Sequence, residues 1–84
     1  MTESFNNCFL HLKNDEESAA ECIHCLRKHG EQVLFDRDEH RLKLGREKYD
    51  ARYAGEMKAI SETLGIKSLE DYERMDRKYN LTMY

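Results

Sequence analysis

The chain has 84 residues, of which 37% are charged and 39% hydrophobic, with a formal net charge of −3. That size gives one domain over residues 1–84, burying only about 60–65% of its unfolded surface, so caps, turns or a partner must supplement a thin core. The charge is too small for a DNA mimic and lacks a nucleic-acid binder's basic excess, while three phenylalanines (Phe5, Phe9, Phe35) and five tyrosines argue against disorder.

Uninterrupted apolar runs reach about three residues, as at Val33–Phe35, against the roughly 20 that a membrane span needs. No leader pattern is present, so a cytoplasmic location is expected. The three cysteines are an odd number, and two of them share one predicted helix. A disulfide framework is therefore not expected.

In chain order, Cys8, Leu10 and Leu12 alternate with Phe9 and His11, the pattern of a strand. Asn14 then offers an N-cap, with Asp15, Glu16 and Glu17 in the first helical turn and Glu17 placed for an approximate capping box. Ala19, Cys22, Ile23 and Leu26 form the apolar stripe of that helix. It closes on Arg27, Lys28, His29 and Gly30, basic residues at the negative end of the dipole and a glycine suited to a left-handed cap.

Val33–Phe35 and Leu42–Leu44 flank the charged stretch from Asp36 to His40 and read as a β-hairpin with a longer loop. Beyond Gly45, Tyr49, Tyr53, Met57, Ile60 and Leu64 recur at spacings of 4, 4, 3 and 4, one face of a long helix. Gly65 and Ile66 suggest a Schellman ending. Ser68 and Asp71 form a capping-box pair for a last helix with Leu69, Tyr72, Met75 and Tyr79 inward, and the tail from Asn80 to Tyr84 frays or docks. The order β-α-β-β-α-α is that of an α+β fold: a small three-stranded, mostly antiparallel sheet packed by two or three helices.

The sharpest chemical pattern is Cys8-x-x-His11 followed by Cys22-x-x-Cys25. Zinc takes four such ligands in a tetrahedron, and pairs two residues apart are its usual source. The backbone argues against it, because positions 8 and 11 of a strand face opposite ways. A helical set of Cys22, Cys25 and His29 is better spaced but lacks a fourth ligand. Core filling is the plainer reading of these cysteines. Redox catalysis by Cys22 and Cys25 is also disfavoured, since the pair lies toward the C-terminal end of its helix, where the dipole does not favour a thiolate.

Asp36, Asp38, Glu39 and His40 make an acidic hairpin tip that lacks the glycine and distal glutamate of a calcium loop. Glu70/Arg74 and Glu73/Arg77 are i,i+4 pairs on the last helix. Tyrosine and arginine are also the types enriched at interface hot spots, so Tyr72, Arg74, Arg77, Lys78 and Tyr79, with Met75, Met83 and Tyr84 adding bulk beyond core needs, are interface candidates. There is no P-loop, dinucleotide-binding fingerprint, nucleophile elbow or H-E-x-x-H motif.

These features lead to an expectation of a non-catalytic module with no cofactor and no metal. It would occupy a surface of another protein, alone or within a nucleoprotein complex, as small phage and mobile-element regulators and inhibitors do. Its contact residues would be Asp36, Asp38, Glu39, Tyr72, Arg74, Arg77, Lys78 and Tyr79. Direct nucleic-acid and membrane contacts are not expected. Two alternatives stand beside it: a zinc-stabilised domain built on Cys8, His11, Cys22 and Cys25 that reads nucleic acid, and a structural homo-oligomer such as a homodimer.

Overall fold

The computed structural model describes residues 4–81, with side chains from Cys8 onward. Met83 and Tyr84, two of the interface candidates, lie outside the described residues. The first element is a 3₁₀ helix, Ser4–His11, where alternation had suggested a strand. The burial explains the difference: Cys8 is fully buried, Phe9 and Leu12 pack on the core, and Leu10 is 76% exposed. The spacing of three between Phe9 and Leu12 is that of a 3₁₀ turn, and the Leu12 amide donates to the Phe9 carbonyl.

Helix α1 runs from Glu16 to Lys28. Its cap is Asp15, one residue beyond the expected Asn14, which takes a left-handed φ of 68° instead. The Asp15 carboxylate accepts from the Ser18 amide at 2.8 Å, while the Ser18 hydroxyl donates to the Asp15 carbonyl and accepts from the Lys13 amide. This satisfies otherwise orphaned first-turn groups, the energetic reason caps exist. The stripe Ala19, Cys22, Ile23 and Leu26 is buried as the periodicity implied. Gly30 follows the helix at φ 89°.

Strands β1 (Val33–Asp36) and β2 (Arg41–Leu44) form the hairpin, antiparallel, with Val33 opposite Leu44 and Asp36 opposite Arg41. Among the described residues the sheet has two strands, not three. The outer edge of β2 is already occupied: the Leu42 amide donates to Ser61 Oγ at 2.7 Å and the Leu44 amide to Asp50 Oδ1 at 3.1 Å. Side chains from the following helices thus satisfy the donors that a third strand would have used.

The expected long helix is two, α2 (Glu47–Arg52) and α3 (Ala54–Leu64). Tyr53 leaves helical geometry between them at φ −112° and ψ 23°. Gly55, the poorest helix former after proline, sits just beyond, and the Tyr53 ring is pinned by stacking on Phe9 with centroids 5.1 Å apart. The stripe survives the break: Tyr53, Met57, Ile60 and Leu64 are buried, and Tyr49 packs at the edge. Gly65 closes α3 at φ 71°, with the Gly65 amide donating to the Glu62 carbonyl and the Ile66 amide to that of Ser61, a Schellman ending.

Helix α4 (Leu69–Tyr79) starts on Ser68, whose hydroxyl accepts from the Asp71 amide; Asp71 returns its bond to the Lys67 amide, not to that of Ser68. α4 is held by Met75, by Tyr72 stacked on Phe35, by His24 Nε2 donating to the Tyr79 carbonyl at 2.8 Å, and by Leu81, fully buried after the left-handed Asn80. Of the tail from Asn80 to Tyr84, Leu81 docks on the core, and residues 82–84 lie outside the described residues. α1 and α3 pack against each other and, with the hairpin, enclose the core.

Candidate functional site

A groove of about 410 Å³ lies between the hairpin turn, α3 and the link into α4. Asp36 shapes its turn by accepting from the Asp38 and Glu39 amides at 2.8 and 3.2 Å. Those amide bonds, chiefly that of Glu39, hold the Asp36 carboxyl below its ordinary range. His40 then takes a left-handed φ of 55°, and its Nδ1 donates to the Lys67 carbonyl at 3.2 Å, joining the turn to the α3–α4 link.

One wall rests on Arg41, 7% exposed. Its guanidinium binds both carboxylate oxygens of Asp50, at 3.0 and 2.7 Å, and also Glu39 and the Leu42 carbonyl. Asp50 chiefly, with Glu39, raises the Arg41 pKa, and Arg41 in turn lowers that of Asp50. Ala54 and Ile66 supply apolar lining; Lys58, Lys67, Glu62, Glu39 and His40 line it with both signs of charge. Among the described residues neither Lys58 nor Lys67 has a carboxylate within ion-pair distance. Gly55 also lines the groove, and a Cβ placed there meets nothing within 4 Å. Arg74 connects to this face through Asp71, whose carboxylate accepts from the Lys67 amide at 3.1 Å and from Arg74 at 2.8 Å. The expected i,i+4 pairing of Arg74 with Glu70 gives way to this i,i+3 contact.

Of the expected contact residues, Asp38, Glu39, Arg74, Arg77 and Lys78 are exposed. Several of the set also have work inside the fold. Asp36 orders the turn, Tyr72 packs on Phe35, and Lys78 and Tyr79 both donate to Glu16 at 2.9 Å. Burial raises the Tyr72 pKa, and Lys78 chiefly lowers that of Glu16. Sequence reasoning missed the groove itself, since Gly55, Lys58, Ile66 and Lys67 meet His40 only once the hairpin folds over α3.

The cysteines are arranged differently from any set the spacing offered. Cys8 and Cys25 form a disulfide, with Cα atoms 5.4 Å apart, so the expectation of no disulfide is corrected. The 3₁₀ helix carries Cys8 onto α1 where Cys25 lies, a contact that local spacing does not encode. Cys22 remains a free, buried thiol, with its pKa pushed up to about 11, chiefly by burial and then by Glu21. Such a group is inert. The set Cys8, His11, Cys22 and Cys25 is not gathered. Among the described residues the cluster that is gathered is Cys8, Cys25 and His29, with ligand atoms all within 4.8 Å of one another.

The chain matches no protein-family model, and searches of curated proteins and of solved structures find nothing similar to it. No helix among the described residues is long and apolar enough to cross a membrane.

Proposed function

We propose that this domain is a non-catalytic protein-binding module, a regulator or inhibitor of the phage accessory kind, and that its groove receives a segment of the partner protein. The observation that carries this reading is the groove at Gly55: about 410 Å³, with apolar lining and a rim of both charge signs. An apolar anchor surrounded by polar rim contacts is how protein interfaces concentrate binding energy. The volume falls in the range of about 300–1,000 Å³ that holds a small ligand or one or two side chains. Glu39 and Glu62 on the rim disfavour a uniform polyanion such as nucleic acid, and Lys58 and Lys67 offer charges to partner carboxylates. Asp38 at the tip, and Arg74 and Arg77 on α4, extend the contact.

The test is selection from a displayed random-peptide library on the wild-type domain, followed by binding of the enriched peptides to Gly55→Leu and Arg77→Ala. Peptides with an apolar anchor flanked by charges should emerge and lose affinity on Gly55→Leu. No enrichment, or equal binding to Gly55→Leu, would reject the groove.

A further inference from the structure

We propose that the Cys8–Cys25 pair and His29 form a redox-gated zinc site: closed as a disulfide, and metal-binding when reduced. Cys25 and His29 are four residues apart at the end of α1 and therefore share a face. Cys8 reaches that face from the 3₁₀ helix. The three ligand atoms lie within 4.8 Å of one another, whereas ligands around tetrahedral zinc stand roughly 3.5–3.8 Å apart, given Zn–S near 2.3 Å and Zn–N near 2.0–2.1 Å. Small side-chain rotations bring the atoms into that range once the sulfur–sulfur bond is open.

The chemistry balances. Two equivalents of a low-molecular-weight thiol supply two electrons and two protons, are themselves joined as a disulfide, and leave Cys8 and Cys25 as thiols. Zn²⁺ then displaces both thiol protons and takes the neutral His29 imidazole as third ligand. Two thiolates cancel the charge of the ion, which suits a site where Cys8 is fully buried and Cys25 half-buried. The exposed His29 leaves the fourth position toward water, the arrangement of three-ligand zinc sites that keep an open coordination place. In a compartment that keeps thiols reduced, the cluster holds zinc; a low-molecular-weight disulfide reverses the exchange, taking two electrons from the thiolates of Cys8 and Cys25 and, with two protons, leaving as two thiols while Zn²⁺ is released and the Cys8–Cys25 bond forms.

The experiment is anaerobic titration of the phosphine-reduced protein with Co²⁺, followed by displacement with Zn²⁺. One Co²⁺ per chain with a sulfur-to-cobalt charge-transfer band is expected, and the oxidised protein should bind none. His29→Gln retains both cysteines and should still lose two hydrogens on oxidation, while binding the metal roughly tenfold or more weakly. Cys22→Ala should bind as the wild type does. The absence of a thiolate band in the reduced wild type, or an unchanged affinity in His29→Gln, would overturn the site, as would loss of binding in Cys22→Ala.

Discussion

Reduction of Cys8–Cys25 should cost this domain a large share of its stability. The bridge closes a loop of sequence separation 17, and cross-linking a loop of that length removes unfolded-state entropy worth about 3 kcal/mol at room temperature. A domain of 84 residues has in total about 4–12 kcal/mol, so the bridge accounts for a quarter or more of it. The assay is urea unfolding of oxidised and reduced protein in a Cys22→Ala background, which prevents thiol exchange, with a chelator present so that no metal replaces the bridge. With a denaturant slope near 1 kcal/mol/M, the midpoint should fall by about 3 M on reduction. Coincident midpoints would refute the reasoning, because they would place the two cysteines close together in the unfolded chain as well or apart in the folded one.

Other outcomes follow from particular contacts. Asp50→Asn should destabilise by about 1.5–3 kcal/mol, the range for a charge-assisted hydrogen bond, because the pair is only partly buried and Arg41 keeps Glu39 and the Leu42 carbonyl, as urea unfolding will measure. Because Arg41 depresses the Asp50 pKa, the stability of this pair is fully present above the unfolded carboxylate value of about 3.9 and is lost as pH falls through the lower folded value. Acid unfolding curves of wild type and Asp50→Asn should therefore converge at the acid end. Cys22 should react with iodoacetamide at pH 8 about two orders of magnitude more slowly in the folded than in the unfolded protein, since burial and a thiol pKa near 11 leave little thiolate; comparable rates would contradict its burial. Gly55→Leu should raise stability by at most about 0.5 kcal/mol, since Gly55 lies in the first turn of α3 where the full interior penalty of glycine is not felt, while filling the groove.

Elements whose stabilising contacts are local were legible in the sequence. The α1 stripe, the hairpin, the Gly65 ending and the inward Tyr72, Met75 and Tyr79 of α4 all follow from spacing and turn chemistry, whereas Leu69, also expected inward, is not among the residues packed on the core. The departures come from contacts distant in sequence. Cys8 to Leu12 satisfy a two-residue alternation as words, but the bridge to Cys25 and the Phe9–Tyr53 stack hold them in a 3₁₀ turn. The third strand is displaced by Ser61 and Asp50 on the β2 edge, and periodicity cannot reveal which donors a side chain will take. Gly55 did carry a signal: a glycine early in a helix whose stripe does not need it marks either a break or a surface approached from outside, and here it adjoins both Tyr53 and the groove.

That the groove anchors the partner segment, with α4 only extending the contact, is tested by amide NMR of the labelled domain titrated with a peptide selected on it. Saturable shifts concentrated at His40, Gly55, Lys58 and Lys67, and abolished by Gly55→Leu, are expected. Shifts centred on Arg74 and Arg77, with the groove amides unmoved, would contradict it.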